Sequence, residues 1–142
     1  MIDVKAEIDI AASPAHIAAV MFDPNRSAEW MDAVKSVEVH DKALQPGARV
    51  THHGAFMGKE FSWTTEVETV HFPHLLVLKL VDGPLLGTAR LSIQRSGDGS
   101  RVVIHNTGEL NGLGFVPEFM VSGPMKAALV ADLERLKALV DA

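Results

Sequence analysis

The chain has 142 residues, 47% of them apolar and 22% charged, with a formal net charge of −5. That balance describes one domain with a buried core, and without a dense basic stripe no nucleic-acid partner is expected. The absence of cysteine removes disulfides, thiolate nucleophiles and cysteine-bound metals and fits a reducing compartment.

Acids occupy the first seven residues, where a signal peptide would be apolar, and no run reaches the roughly 18 apolar residues of a membrane span. A cytoplasmic protein without stable membrane insertion is therefore expected. Val4, Ala6, Ile8 and Ile10 alternate with Lys5, Glu7 and Asp9, the period of a strand with one buried face. Ser13 and Pro14 then supply a cap and a first-turn proline for a helix over 15–22, which 23–25 stops. A second helical turn is expected over 27–31, anchored by Trp30.

Strands follow over 34–40, 49–56, 60–71, 75–81, 86–94 and 101–109, separated by turn chemistry at 45–47, 57–59, 72–74 and 82–84. Residues 96–100 read as a five-residue hairpin loop. The glycines of 111–114 precede no helix of a βαβ unit, so they read as a hinge rather than a dinucleotide fingerprint.

The closing segment, from about 115 to 140, is amphipathic. Pro117 fits a first helical turn, whereas Gly123-Pro124 is expected to kink or interrupt the helix. Leu129, Leu133, Leu136 and Val140 share one face, with Asp132, Glu134, Arg135 and Lys137 off that stripe. A strand meander that ends in one long helix needs a concave sheet for the helix to lie in, which leaves a pocket between the two.

These elements carry a resemblance. Their order, the segment Ile8-Asp-Ile-Ala-Ala-Ser-Pro-Ala-His16, Trp30, Gly47-Ala-Arg-Val50, Glu66-Val-Glu-Thr-Val-His-Phe-Pro73 and Ala131-Asp-Leu-Glu-Arg-Leu-Lys-Ala-Leu139 are similar to the START-like helix-grip superfamily, over nearly the whole chain. Within it the chain most resembles the polyketide cyclase/dehydratase and lipid-transport branch. The resemblance implies an α+β helix-grip fold: one domain, a curved antiparallel sheet of six to seven strands around a long C-terminal helix, and two short helices after the first strand. It also implies a cavity between sheet and helix. The matching motifs are caps, turns and core positions, so no catalytic residue is carried across.

Alternation selects the cavity wall. Outward Glu60, Glu66 and Glu68 leave Phe61, Trp63, Thr65 and Val67 facing inward; Lys79 does the same for Leu76, Leu78 and Leu80. Outward Arg90 and Arg49 turn Ala89, Leu91 and Ile93, and Val50, His52, Gly54 and Phe56, to the interior. On the last strand Val102, Ile104 and Asn106 form the better interior set. The candidate ligand-binding residues are His52, Phe56, Phe61, Trp63, Thr65, Val67, Leu78, Leu91 and Asn106, with Phe115, Phe119 and Met125 from the closing segment.

The polar handles in this set, His52, Thr65, Asn106 and the Trp63 indole, suit a planar or steroid-sized apolar ligand with a hydroxyl or carbonyl. His52 is the weak candidate for acid–base catalysis, because an imidazole in a dry pocket can titrate near neutrality. A surface or hydrogen-bonded core histidine is the plainer reading of the same residue, and core filling is the plainer reading of Trp63. His53 must point to the opposite face of the strand. His16, His40, His71 and His74 lie in separate elements or bracket a turn, so no metal site and no cofactor is expected; nor is there a Gly-x-Ser-x-Gly elbow.

Two functional readings follow: binding of a lipid-, steroid- or polyketide-like molecule, or a cyclase/dehydratase in which His52 or a bound water moves protons. An interaction module of the co-chaperone kind is a third, for which the charged outward positions give no apolar surface. Monomer and homodimer both remain open.

Overall fold

Alternation in the first strand becomes pairing at one edge of the sheet. In the computed structural model, which describes residues 1–114 and 116–141, β1 (Ile2–Ile10) buries Ile2, Val4, Ala6 and Ile10 and exposes the intervening charges. Six further strands follow: β2 (Val34–Val39), β3 (Arg49–Phe56), β4 (Lys59–His71), β5 (Leu75–Asp82), β6 (Leu85–Ser96) and β7 (Gly99–Leu110). The sheet is antiparallel throughout, in the order β1-β7-β6-β5-β4-β3-β2. β1 and β2, consecutive in sequence, therefore occupy opposite edges, and the segment between them crosses the open side.

That segment holds α1 (Pro14–Met21), a 3-10 turn (Pro24–Arg26) and α2 (Ser27–Trp30). Ser13 caps α1 by accepting the His16 backbone N–H at 3.2 Å, with Pro14 at the first helical position. Residues 23–25 do more than stop α1: Asp23 accepts the Asn25 N–H at 3.0 Å and starts the 3-10 turn that leads into α2. Trp30 closes α2 fully buried.

Register irregularities between Val34 and Ser36, Thr64 and Thr65, and Val67 and Thr69 bend the β2–β5 side of the sheet. At the first of these β2 passes so near β3 that a Cβ on Gly54 would lie 1.6 Å from the Ala33 carbonyl oxygen.

Two expectations are corrected by the turns and the last helix. The loop at 96–100 is a two-residue turn of Gly97 and Asp98, because Ser96 pairs with Gly99 and Arg95 with Ser100. Gly97, at φ +58°, supplies the positive dihedral that such a turn needs. Ser100 is a buried strand residue whose hydroxyl donates to the Ala12 carbonyl at 2.7 Å. The interruption expected at Gly123-Pro124 is absent: the last helix, α3 (Glu118–Asp141), continues through Pro124. Pro124 and Met120, whose carbonyl loses its usual donor there, lie on the exposed side, where the orphaned group is open to solvent rather than buried without a partner.

α3 buries Val121, Leu129, Leu133, Leu136 and Val140 against β1, α1 and α2. The core is thus the concave face of the sheet, the inward stripe of α3 and the two short helices. No helix among the described residues is long and apolar enough to cross a membrane.

Candidate functional site

Between the sheet and the three helices lies a cavity of about 250 Å³. Its floor is the inward face of β3 to β7. Of the residues selected by alternation, His52, Phe56, Phe61, Trp63, Thr65, Val67, Leu78, Leu91 and Asn106 all line it, and Met125 enters from α3. Trp30 and Ser27 from α2 and Ala128, Leu129 and Asp132 from α3 complete the roof. Lys59 sits over the Phe61 ring, 5.7 Å from its centre.

Two candidates from the closing segment fall elsewhere. Phe119 is 78% exposed and does not line the cavity; it sits in the first turn of α3, two residues before the inward Val121. Phe115 lies outside the described residues.

The wall is apolar apart from a few groups whose state follows from burial. His52 is 6% exposed and stacks on Trp63, its cross-strand partner, with ring centres 5.3 Å apart and planes 4° from parallel. Desolvation lowers its pKa to about 4, and only partial relief comes from the Trp63 backbone. The imidazole is therefore neutral at pH 7. This corrects the expectation of titration near neutrality: a dry site favours the uncharged ring, and no carboxylate faces it to offset that.

Asp132 was placed off the apolar stripe from sequence, yet it is 5% exposed and lines the cavity. The signal was available, since Asp132 stands three residues after Leu129 and four before Leu136, on the same helical face. Its Oδ1 accepts the Asp32 backbone N–H at 3.2 Å and a hydrogen bond from Arg135 Nη2. Arg135 Nε also donates to the Trp30 carbonyl at 3.0 Å, so this network binds α3 to the end of α2. Burial raises the Asp132 pKa, opposed by the Asp32 N–H and by Arg135.

Among the described residues, three buried polar atoms on these walls have no hydrogen-bond partner: Trp30 Nε1, His52 Nδ1 and Asn106 Oδ1. An unpaired buried polar atom costs about 1–3 kcal/mol, and here the expense gathers around one cavity.

The outer face of the same strands is chemically separate. His53 points away from the cavity and bridges Ser62 Oγ at 2.8 Å and Glu38 Oε2 at 2.9 Å. His53 and Ser62 border an open groove formed with Lys35 and Glu60. Among the described residues no three His, Asp or Glu side chains are grouped as metal ligands.

Residues 1–141 match the family model for polyketide cyclase/dehydrase and lipid transport. The fold is shared with TTHA0849 from Thermus thermophilus, at 24% identity and a TM-score of 0.82 over 97% of this chain and 96% of that one. It is also shared with a START superfamily protein from Mycobacterium smegmatis, at 18% identity and 0.83 over 98% and 97%. The di-domain ARO/CYC StfQ from the steffimycin biosynthetic pathway aligns at 12% identity and 0.79, over 99% of this chain and 50% of its own. At these identities the likeness is one of fold. No curated protein matches the chain.

Proposed function

The chain belongs to the polyketide cyclase/dehydrase and lipid transport family, and from that premise we propose that it binds a compact apolar molecule in the cavity between the sheet and α3. The observation that carries this reading is the wall itself: aliphatic and aromatic side chains from five strands and three helices converge on one space with few polar groups. Its volume of about 250 Å³ falls just under the usual range of roughly 300–1,000 Å³. That favours a ligand of two or three rings over the steroid-sized molecule suggested by the sequence.

Native mass spectrometry of the freshly purified protein, followed by titration with a neutral naphthylamine probe, tests the reading. A bound small molecule, or probe binding at one site per chain, is the expected result. A protein that carries nothing and admits no apolar probe would overturn it.

A second reading, a cyclase/dehydratase using the same cavity, is supported by the two buried ionisable groups on its wall, His52 and Asp132. With its pKa near 4, His52 has no proton to give at neutral pH. It would act as a weak base or would orient a bound water that moves the proton. Full turnover of a poly-β-ketone substrate by His52→Ala would remove that role.

A further inference from the structure

His52 and Asp132 are the ionisable residues among those lining the cavity, and they differ in what they can accept. Asp132 uses Oδ1 for both of its protein contacts, the Asp32 N–H and Arg135 Nη2. Those two ties, with Arg135 held in turn by the Trp30 carbonyl, fix the plane of the carboxylate. Oδ2 has no hydrogen bond from the protein among the described residues, although Asp132 is 5% exposed. A carboxylate has about four acceptor positions; Oδ2 is not sealed off like the three orphaned atoms of the wall, and its unused capacity is open to a donor in the space that Asp132 lines.

We propose that Asp132 makes the cavity selective for neutral ligands that carry a hydroxyl group, which donates to its free oxygen, and selective against ligands that carry a carboxylate. The proposal rests on the ligand-binding reading above and adds the chemical class. Charge supplies its second half. No lining residue is a lysine or arginine, and burial keeps the His52 imidazole neutral at pH 7. A carboxylate entering the cavity would be desolvated beside Asp132, and the nearest cation, Arg135, is already engaged by Asp132 Oδ1 and the Trp30 carbonyl and does not line the cavity. A hydroxyl meets the reverse situation, because a hydrogen bond to a buried, oriented carboxylate is among the stronger ones.

Four two-ring probes that differ in one substituent test the proposal on the wild-type protein by titration calorimetry at pH 7: naphthol, methoxynaphthalene, naphthalene and naphthoate. Naphthol should bind about tenfold or more tightly than naphthalene, since a hydrogen bond to a charged group contributes about 1.5–3 kcal/mol. Methoxynaphthalene, which accepts but does not donate, should lose that preference, and naphthoate should bind more weakly than naphthalene. In Asp132→Asn the ratio of naphthol to naphthalene affinity should fall towards one.

Equal affinities for naphthol, methoxynaphthalene and naphthalene would overturn the proposal and leave the ligand-binding reading standing. Tight naphthoate binding would overturn the charge argument. Failure of all four to bind would remove the ligand-binding reading itself. The comparison among ligands needs no variant, so a poorly folded Asp132→Asn would not decide the outcome.

Discussion

Burial of His52 couples proton uptake to unfolding. Its pKa is about 4 in the folded chain and about 6.5 when unfolded. Between those values the unfolded state binds the proton and the folded state does not, so this residue's contribution to stability is complete above pH 6.5 and declines as pH falls towards 4. The difference corresponds to roughly 3 kcal/mol. Urea unfolding of wild type and His52→Leu across pH 4–7 should show a shallower decline in the variant; parallel declines would mean that His52 is not the group responsible. The inward orientation of His52 was legible from Arg49 and the period of β3. Its protonation was not, because desolvation depends on Trp63 stacking from another strand and on helices far off in sequence. Asp132 was misread for a related reason: a charge followed by Glu134, Arg135 and Lys137 reads as solvated, and its burial depends on the α2 end supplying Asp32 N–H and the Trp30 carbonyl that anchors Arg135.

At the scale of elements, two glycines give contrasting predictions for the same substitution. Gly54→Ala in β3 would drive a methyl into the Ala33 carbonyl, where the built Cβ lies 1.6 Å from the oxygen, so either β2 must separate or the strand must shift. Loss of several kcal/mol, or of soluble protein, is expected. Gly123→Ala on the exposed side of α3 meets nothing within 4 Å apart from its chain neighbours; the gain of about 0.5–1 kcal/mol from lower chain entropy is offset by crowding of the new Cβ against the Pro124 ring, so near wild-type stability is expected. Thermal unfolding of both variants tests the contrast, and a stabilised Gly54→Ala, or a Gly123→Ala as damaging as Gly54→Ala, would contradict the packing described. Within α3, Leu133→Ala should cost about 2–5 kcal/mol, as Leu133 is 1% exposed; a cost below 1 kcal/mol in urea unfolding would mean that the helix does not press on the sheet there. The strands were largely legible because Pro, Gly and Asp mark their ends and charges mark their outer faces. The hairpin at 96–100 was not, since Gly and Ser serve a turn and a tightly paired strand equally well, and only Ser100 pairing with Ile10 and Arg95 decides between them. Pro124 misled because its effect depends on whether the orphaned Met120 carbonyl is buried or wet, which the local sequence does not specify.

For the molecule as a whole, the proposed binding would tie stability to occupancy of the cavity. A ligand at about 100 times its dissociation constant adds roughly 2.7 kcal/mol to the folded state, or on the order of 5–10 °C in the midpoint for a domain of this size. A naphthol titration followed by thermal unfolding should show this concentration dependence; an unchanged midpoint at concentrations that saturate the calorimetric site would place the binding outside the core. The fold as a whole was legible from element order and from a resemblance spread over nearly every element, whereas the size of the cavity was not, since it depends on how far three bulges curl the sheet.

The order of the strands also sets a timetable. Ile2 pairs with Gly108 and Ile10 with Ser100, so β1 has no partner in the sheet until β7, the last of the seven strands in chain order, has been made. The β2–β5 arm can form earlier by successive hairpins, but the N-terminal edge must wait through about a hundred residues of synthesis, which makes its pairing a late, long-range event. The roof arrives later still, with α3. Until α3 has docked on β1 and the two short helices the chamber has no roof, so the proposed ligand would find a closed site only after that step.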